Sequence, residues 1–174
     1  YRDGVDSYGR KYKPDGTLSK TEIQGPVADD ATYDTAGVYV EDTIGFLDGK
    51  LDVVPGLRYN YAAADADKVK DPITGKQISV EDDWSDVAGS LRLLVPLAPD
   101  RKHVVYGGIS QGFRAPNLSD LTRLDTARTK EIETPSPDLD PENYVSYEAG
   151  LKSRDGGLVS QVSYYNTAID SMIV

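Results

Sequence analysis

The sequence predicts an all-β chain, an antiparallel up-and-down meander that forms part of the wall of a transmembrane β-barrel. Three observations predict it. Apolar and polar residues alternate through one segment after another, the period of a strand with one apolar and one polar face. The connections also alternate, with short turns at 48–49, 98–101 and 154–157 and long loops at 63–83 and 115–142. All short turns then fall at one end and all long loops at the other, as in membrane barrels; a β-sandwich has no such requirement. Finally, no helix of useful length is visible. The longest apolar run, residues 91–98, contains Arg92 and falls far short of the ~20 residues a spanning helix requires.

Each element has its own signals. Residues 1–32 are polar and carry Asp3-Gly4, Asp15-Gly16 and Gly25-Pro26, which are turn signals. Tyr8, Tyr12 and Leu18 are too scattered for a core, so a strand remnant and a long loop are expected. The first clear strand covers 33–46, with Val38, Val40 and Asp42 on one face and Gly37, Tyr39 and Glu41 on the other. Asp48-Gly49 signals a type I′ hairpin, because both residues tolerate the positive φ it needs. Strand 50–62 sets Leu51, Val53, Leu57, Tyr59 and Tyr61 against Asp52, Gly56, Arg58 and Asn60. Pro55 inside it removes a ladder donor and argues against regular pairing there.

Residues 63–82 read as a polar loop with Asp65, Asp67, Lys68, Lys70, Asp71-Pro72 and Thr74-Gly75. Strand 84–97 puts Val87, Leu91, Leu93, Val95 and Leu97 on one face and Ala88, Ser90 and Arg92 on the other. After the turn at Ala98-Pro99-Asp100, strand 102–113 is interrupted by Gly107 and Gly108. Val105, Ile109 and Phe113 are assigned outward there, with Tyr106, Ser110 and Arg114 inward. Residues 117–137 are acidic and lack apolar periodicity, and a connection of this length is functional or disordered more often than not. Strand 144–153 alternates Val145, Tyr147, Ala149 and Leu151 with Ser146, Glu148, Gly150 and Lys152. A tight turn at Arg154-Asp155-Gly156-Gly157 leads to a sixth strand, 158–169, with Val162 and Tyr164 opposite Gln161, Ser163 and Tyr165.

Composition bounds the function. With 39% hydrophobic residues and a mean hydropathy of −0.47, a helical membrane protein is excluded. A membrane barrel is not, because its alternating strands average to a soluble-looking value. Twelve Tyr against two Phe and one Trp suit strands and membrane interfaces, and equally a Tyr-rich soluble β-protein. The absence of cysteine removes disulfide scaffolds, cysteine–zinc sites and thiol catalysis. The formal charge of −10 argues against a nucleic-acid partner, which requires a basic face. The chain opens at Tyr1 without signal-peptide features and stops at residues 171–174 inside a strand pattern, so it is expected to be a segment of a longer protein.

Several motifs invite chemistry. Gly108-Ile109-Ser110-Gln111-Gly112 fits G-x-S-x-G, but that elbow needs a strand, a sharp turn, a helix and a later histidine. Phe113-Arg114-Ala115-Pro116 follows instead, and the sole histidine, His103, precedes the serine. No enzyme is expected. Asp138, Asp140 and Glu142, with Asp120 and Asp125 nearby, offer oxygens for Ca²⁺, yet Pro137 and Pro141 stiffen the segment and the spacing is not that of a calcium loop. No metal site is assigned, His103 has no metal partner in view, and Asn117-Leu118-Ser119 is read as an incidental sequon. Alternation places Arg58, Arg92 and Arg114 on the inner face, with Glu148 from another strand. They form either an ion-pair network lining a polar lumen or a site for an anionic ligand such as a ferric chelate, since guanidinium matches carboxylate and phosphate.

A family resemblance rests on Gly112-Phe113-Arg114-Ala115-Pro116-Asn117-Leu118-Ser119-Asp120-Leu121, then Pro137-Asp138-Leu139-Asp140-Pro141-Glu142 and Tyr147-Glu148-Ala149-Gly150-Leu151-Lys152. Upstream, Gly37-Val38-Tyr39-Val40-Glu41-Asp42, Asp48-Gly49-Lys50-Leu51 and Pro55-Gly56-Leu57-Arg58-Tyr59 add to it. In this order and spacing the pieces resemble the barrel of TonB-dependent outer-membrane receptors. The resemblance implies a Gram-negative outer-membrane location and energy-dependent uptake of a scarce nutrient, a ferric siderophore or another iron complex foremost. It also implies contact with outer-membrane lipid and coupling to the TonB complex through an N-terminal region that this chain lacks. It implies no cofactor, and no plug domain is matched, so residues 1–174 are expected to be barrel throughout. Such receptors close with about 22 strands, so six or seven strands make a curved sheet with open edges, expected to be unstable alone in water. A passive porin-like barrel and a soluble β-sandwich binding module are the alternatives.

Overall fold

The computed structural model describes residues 2–5, 9–22, 26–71, 73–126 and 132–173. In chain order the strands are β1 (Arg2–Val5), β2 (Gly9–Tyr12), β3 (Leu18–Glu22), β4 (Asp29–Glu41), β5 (Ile44–Phe46), β6 (Leu51–Lys70), β7 (Gln77–Pro96) and β8 (His103–Arg114). A short helix α1 (Leu118–Thr122) follows, then β9 (Asp125–Thr126), β10 (Ile132–Glu133), β11 (Glu142–Asp155) and β12 (Leu158–Asp170). One eight-stranded antiparallel sheet runs β1-β4-β6-β7-β8-β11-β12, with β5 beside β6. β2–β3 and β9–β10 are separate two-stranded ribbons. The sheet is a segment of a barrel, open between β1 and β12, as the meander pattern predicted.

The turns at one end are tight and cross-linked. Lys50 N–H donates to Leu47 O at 3.2 Å across Asp48 and Gly49, whose φ values of 54° and 81° are those of a type I′ turn. Arg101 bridges to Asp52 and donates to Gly49 O at 3.3 Å. Arg154 N–H donates to Lys102 O at 2.8 Å, and His103 Nδ1 lies 2.7 Å from Ser153 Oγ. Three successive turns are thus joined side to side. Pro55 is accommodated within β6, in register with Leu91, and its carbonyl accepts from Asp42 N–H at 3.2 Å.

The first departure from expectation is at residues 63–82, which form no long loop. β6 continues to Lys70 and β7 starts at Gln77. The turn between them is closed by Asp71 N–H to Lys76 O, and the Asp71 carboxylate accepts from Ile73 N–H at 2.8 Å. The period-2 pattern persists but is written in alanine: Ala62, Ala64 and Ala66 are buried, while the charged residues between them suggest a loop. A bulge between Ala66 and Val69 shifts the parity, so that Val69 also reaches the buried face.

Register across the sheet aligns the outward residues into rows. Val53, Leu93, Gly107, Ala149 and Tyr164 make one, and Pro55, Leu91, Ile109, Tyr147 and Asn166 another. The apolar outward stretches, 51–61 on β6 and 87–97 on β7, match the roughly 9–11 residues a tilted strand needs to cross a bilayer. The inner face at the same level carries Gly56, Arg58, Asn60, Ser90, Arg92, Ser110, Ser146 and Glu148, with Val54, Ala88 and Leu94 among them.

Above that band the polarity inverts. The outward residues become Asp65, Glu81, Asp83 and Ser85, while the inward ones become Ala62, Ala64, Ala66, Val80 and Trp84. These pack with Ala28, Ala31, Val69, Leu118 and Leu121 into a buried cluster, the protein's one contiguous core among the described residues. One hairpin therefore has the pattern of a lipid-facing wall below and of a water-soluble sheet above.

The other departures share one origin, the connection from β8 to β11. β8 pairs with β7 only as far as Ser110, opposite Ser90, but pairs with β11 up to Arg114, opposite Glu142. Its end therefore leaves β7 and leans over the inner face. This carries Phe113, assigned outward by alternation, onto the buried cluster. The expected featureless loop begins with α1, where Asn117 Oδ1 accepts from Ser119 N–H and Asp120 N–H while Asp120 caps back onto Asn117 N–H. At the N-terminal end, Asp3-Gly4 lies within β1 rather than at a turn, and residues 9–22 form a ribbon closed at Lys13 and Thr17.

Candidate functional site

The inner face of the sheet gathers the side chains that alternation assigned to it, in two groups. Arg92 and Glu148 share one transverse row, Arg92–Gly108–Glu148, about 10 Å apart because one strand lies between them. Glu148 accepts from Tyr106 Oη at 3.0 Å, and Gln161 Nε2 donates to the same hydroxyl at 2.7 Å. Lys152 Nζ sits 5.1 Å from the Tyr106 ring centre. Tyr106 can lie this flat because its partner across the strands is Gly150: a Cβ there would come within 2.6 Å of the tyrosine hydroxyl. The result is a polar lattice spanning β8, β11 and β12.

The second group lies higher, where wall meets core. Arg58 and Arg114 line one cleft of about 380 Å³ with Tyr33, Thr35, Asn60, and Phe113. Arg58 is exposed and its Nε donates to Asn60 Oδ1 at 2.6 Å. Its guanidinium extends over Gly37, where a Cβ would meet Nη2 at 2.8 Å. A smaller cleft of about 270 Å³ on the other side of Arg58 is lined by Tyr39, Glu41, Ser90 and Gln111. Burial pushes the Tyr33 hydroxyl's pKa up, so it stays protonated and able to donate.

Arg114 is held differently from Arg58. It bonds Asp120 on α1 at 2.7 Å and Glu142 on β11 at 3.0 Å. Glu142 is almost fully buried and also accepts from the Tyr144 hydroxyl and from Ile173 N–H at 2.8 Å. Those bonds, the tyrosine's first, hold the Glu142 carboxyl below its ordinary pKa, and the same hydrogen bond raises that of Tyr144. Thr122 Oγ1 accepts from Ala28 N–H at 3.0 Å, and Trp84 Nε1 donates to Leu139 O at 3.2 Å. Together these bonds tie both ends of the long connection to the upper wall.

Of the residues read from the sequence, Arg58 and Arg114 meet in one cleft, Arg92 and Glu148 meet in one row, and the two groups are separate. The roles of Asp120 and Glu142 were missed: among the acidic residues weighed as oxygen donors, these two bind an arginine. Asn117 three places before Asp120 is the sequence signal for the cap. Ser110 lies within β8, in register with Ser90 and Ser146, and not on a strand–turn–helix elbow. His103 is at the opposite end of that strand, about 23 Å away at strand rise.

All 174 residues match the family model described as TonB dependent receptor-like, beta-barrel. No curated protein matches the chain. The hemophore receptor HasR of Serratia marcescens, solved as a double mutant with its hemophore HasA and heme, is similar at 20% identity and a TM-score of 0.69, over 94% of this chain and 28% of HasR. The copper transporter OprC is similar at 19% identity and a TM-score of 0.69, over 97% of this chain and 26% of OprC. At these identities the likeness is one of fold, and the chain spans about a quarter of each solved protein.

Proposed function

The chain belongs to the TonB-dependent receptor-like β-barrel family, and from that premise we propose that it supplies wall and cell-surface loops to an outer-membrane receptor for energy-dependent uptake of a scarce nutrient. The observation that carries this reading is the inversion of face polarity along β6 and β7. A belt of apolar residues fitted to lipid lies below a water-facing hairpin, and the face behind the belt is polar, as a lumen is. The loop end then lies outside the cell and the tight-turn end in the periplasm of a Gram-negative bacterium. Energy reaches the receptor from the TonB complex through a segment outside these 174 residues.

The cargo we propose is an anionic iron chelate, a ferric siderophore foremost. Arg58 supports it: an exposed guanidinium in a cleft with Tyr33 and Phe113. Arg92 and Glu148 sit deeper on the same wall, along the path such a ligand would take. Arg114 contributes as the rim that holds the loop, because two carboxylates already neutralise it. The two solved receptors favour a second reading, heme or copper as cargo.

Uptake by the intact receptor in its parent bacterium decides among these. Deletion of the gene is expected to abolish accumulation of radioiron from a siderophore, with restoration by the wild-type gene and reduced restoration by Arg58→Ala. Loss of heme or copper uptake instead reassigns the cargo. Uptake that survives collapse of the proton gradient means a passive porin-like barrel.

A further inference from the structure

Among the described residues, the upper half of β7 has a strand on one side only. β6 pairs with β7 as far as Gln77, but β8 stops pairing at Ser110, opposite Ser90, and leans inward with β11. Among the described residues no strand pairs with residues 77–89 on the β8 side. Gly89 N–H is satisfied there by a side chain, Gln111 Oε1 at 3.0 Å. That bond also identifies the amides that face the gap. Backbone groups of alternate residues point to the same side of a strand. Val87, Ser85, Asp83, Glu81 and Ser79 therefore direct N–H and C=O into the gap, while Ala88, Asp86, Trp84 and Asp82 bond to β6. The gap does not depend on any strand outside this chain, because β8 is the sequential neighbour of β7.

An open ladder of this length is a template for another strand, and proteins guard such edges with charge, proline or cover. This one has no proline, and its guards are all acidic. Glu81 and Asp83 stand on the outer face, Asp82 and Asp86 on the inner. Like charges directly opposite one another are destabilising across a strand pair, and opposite charges stabilise it. The edge therefore rejects a second copy of itself and accepts a strand bearing Lys or Arg on both faces. At the hairpin tip, four residues before β7 starts at Gln77, Ile73 is 93% exposed.

We propose that residues 79–87 of β7 receive an extended basic segment of a partner polypeptide by strand addition. Main-chain bonds would supply the affinity and the four carboxylates the selectivity. That the partner is extracellular rests on the membrane orientation given above; the open edge does not.

The test uses the intact receptor in detergent and needs no uptake assay, so its failure is distinct from failure of the transport reading. Amide hydrogen exchange at single-residue resolution is expected to be fast at Glu81, Asp83, Ser85 and Val87 and slow at Asp82, Trp84 and Asp86. Slow exchange at both sets means the edge is already covered and overturns the proposal. A short Lys–Val peptide of Lys-Lys-Val-Val repeats, which sets Lys on both faces of a strand, is then expected to bind saturably and slow the first set, while its Glu–Val counterpart does not bind. Ser85→Pro removes an edge donor without touching a β6 bond, and Asp83→Lys reverses one guard without touching the backbone. Each is expected to weaken the Lys–Val peptide about tenfold, equivalent to about 1.4 kcal/mol. If Ser85→Pro fails to fold, the same peptide N-methylated at alternate residues probes the same bonds. Absence of binding by the Lys–Val peptide, or binding that neither variant nor N-methylation weakens, overturns the proposal.

Discussion

At the scale of single residues, the inner wall depends on where side chains are missing. Gly150 lets Tyr106 lie across β11 to reach Glu148 and Gln161; a Cβ at 150 would also come within 2.6 Å of Val162 O on the next strand. Gly150→Val should therefore cost about 1–3 kcal/mol through overpacking, read as a lower denaturant midpoint of the detergent-solubilised receptor. The Arg114–Glu142 pair makes a second, pH-dependent prediction. Glu142 titrates below its ordinary value of 4.5 in the folded protein, so the stabilisation from its charged form is complete above that pH. It is lost as pH falls through the lower folded value. Limited proteolysis within residues 115–141 should be slow at neutral pH and accelerate as pH falls below 4.5, the ordinary value. Glu142→Gln should be cleaved faster already at neutral pH, and unchanged cleavage would refute the clamp.

At the scale of elements, a short helix and a long hairpin define each other. α1 is too short to be stable by itself; its cap and its burial hold it. Leu121 is fully buried in the cluster beneath it, so Leu121→Ala should cost about 2–5 kcal/mol in denaturant unfolding followed by Trp84 fluorescence. Asn117→Ala should cost about 1 kcal/mol through loss of the cap, and the two effects should be unequal in that order. The cap was legible in the sequence as Asn117-x-x-Asp120. The upper half of the hairpin, expected as a polar loop over 63–82, was not legible, because alanine at 62, 64 and 66 is a weak apolar signal between charged neighbours. Phe113 was not legible, because alternation assumes that β8 stays beside β7 to its end.

At the scale of the whole molecule, the apolar belt makes a depth profile. Leu93→Arg, in the middle of the outward band, should cost about 2–4 kcal/mol, and Val87→Arg at its upper limit about 0–1. Ser85→Arg, outward but above the band, should cost little, and all three can be read by refolding the receptor into lipid vesicles. Equal costs would mean that the band does not face lipid. The same belt predicts that these 174 residues alone, in water without detergent, show no cooperative thermal transition, because the outer face has no lipid and β1 and β12 have no outer neighbours. A sharp transition by near-ultraviolet circular dichroism would contradict that.

By itself the sequence determined the strand period, the position of the three tight turns, the inner placement of Arg58, Arg92, Arg114 and Glu148, and the membrane-barrel character of the wall. These follow from local chemistry: a strand's faces alternate every residue, and Asp and Gly favour the positive φ of a tight turn. Only the tertiary structure decided which residues meet across strands. The row that sets Arg92 and Glu148 on either side of Gly108, the level at which the outer face changes from apolar to polar, and the departure of β8 that joins Arg114 to Asp120 and Glu142 all depend on register. Register is a property of several strands together, set by hydrogen bonds and packing between residues far apart in the chain.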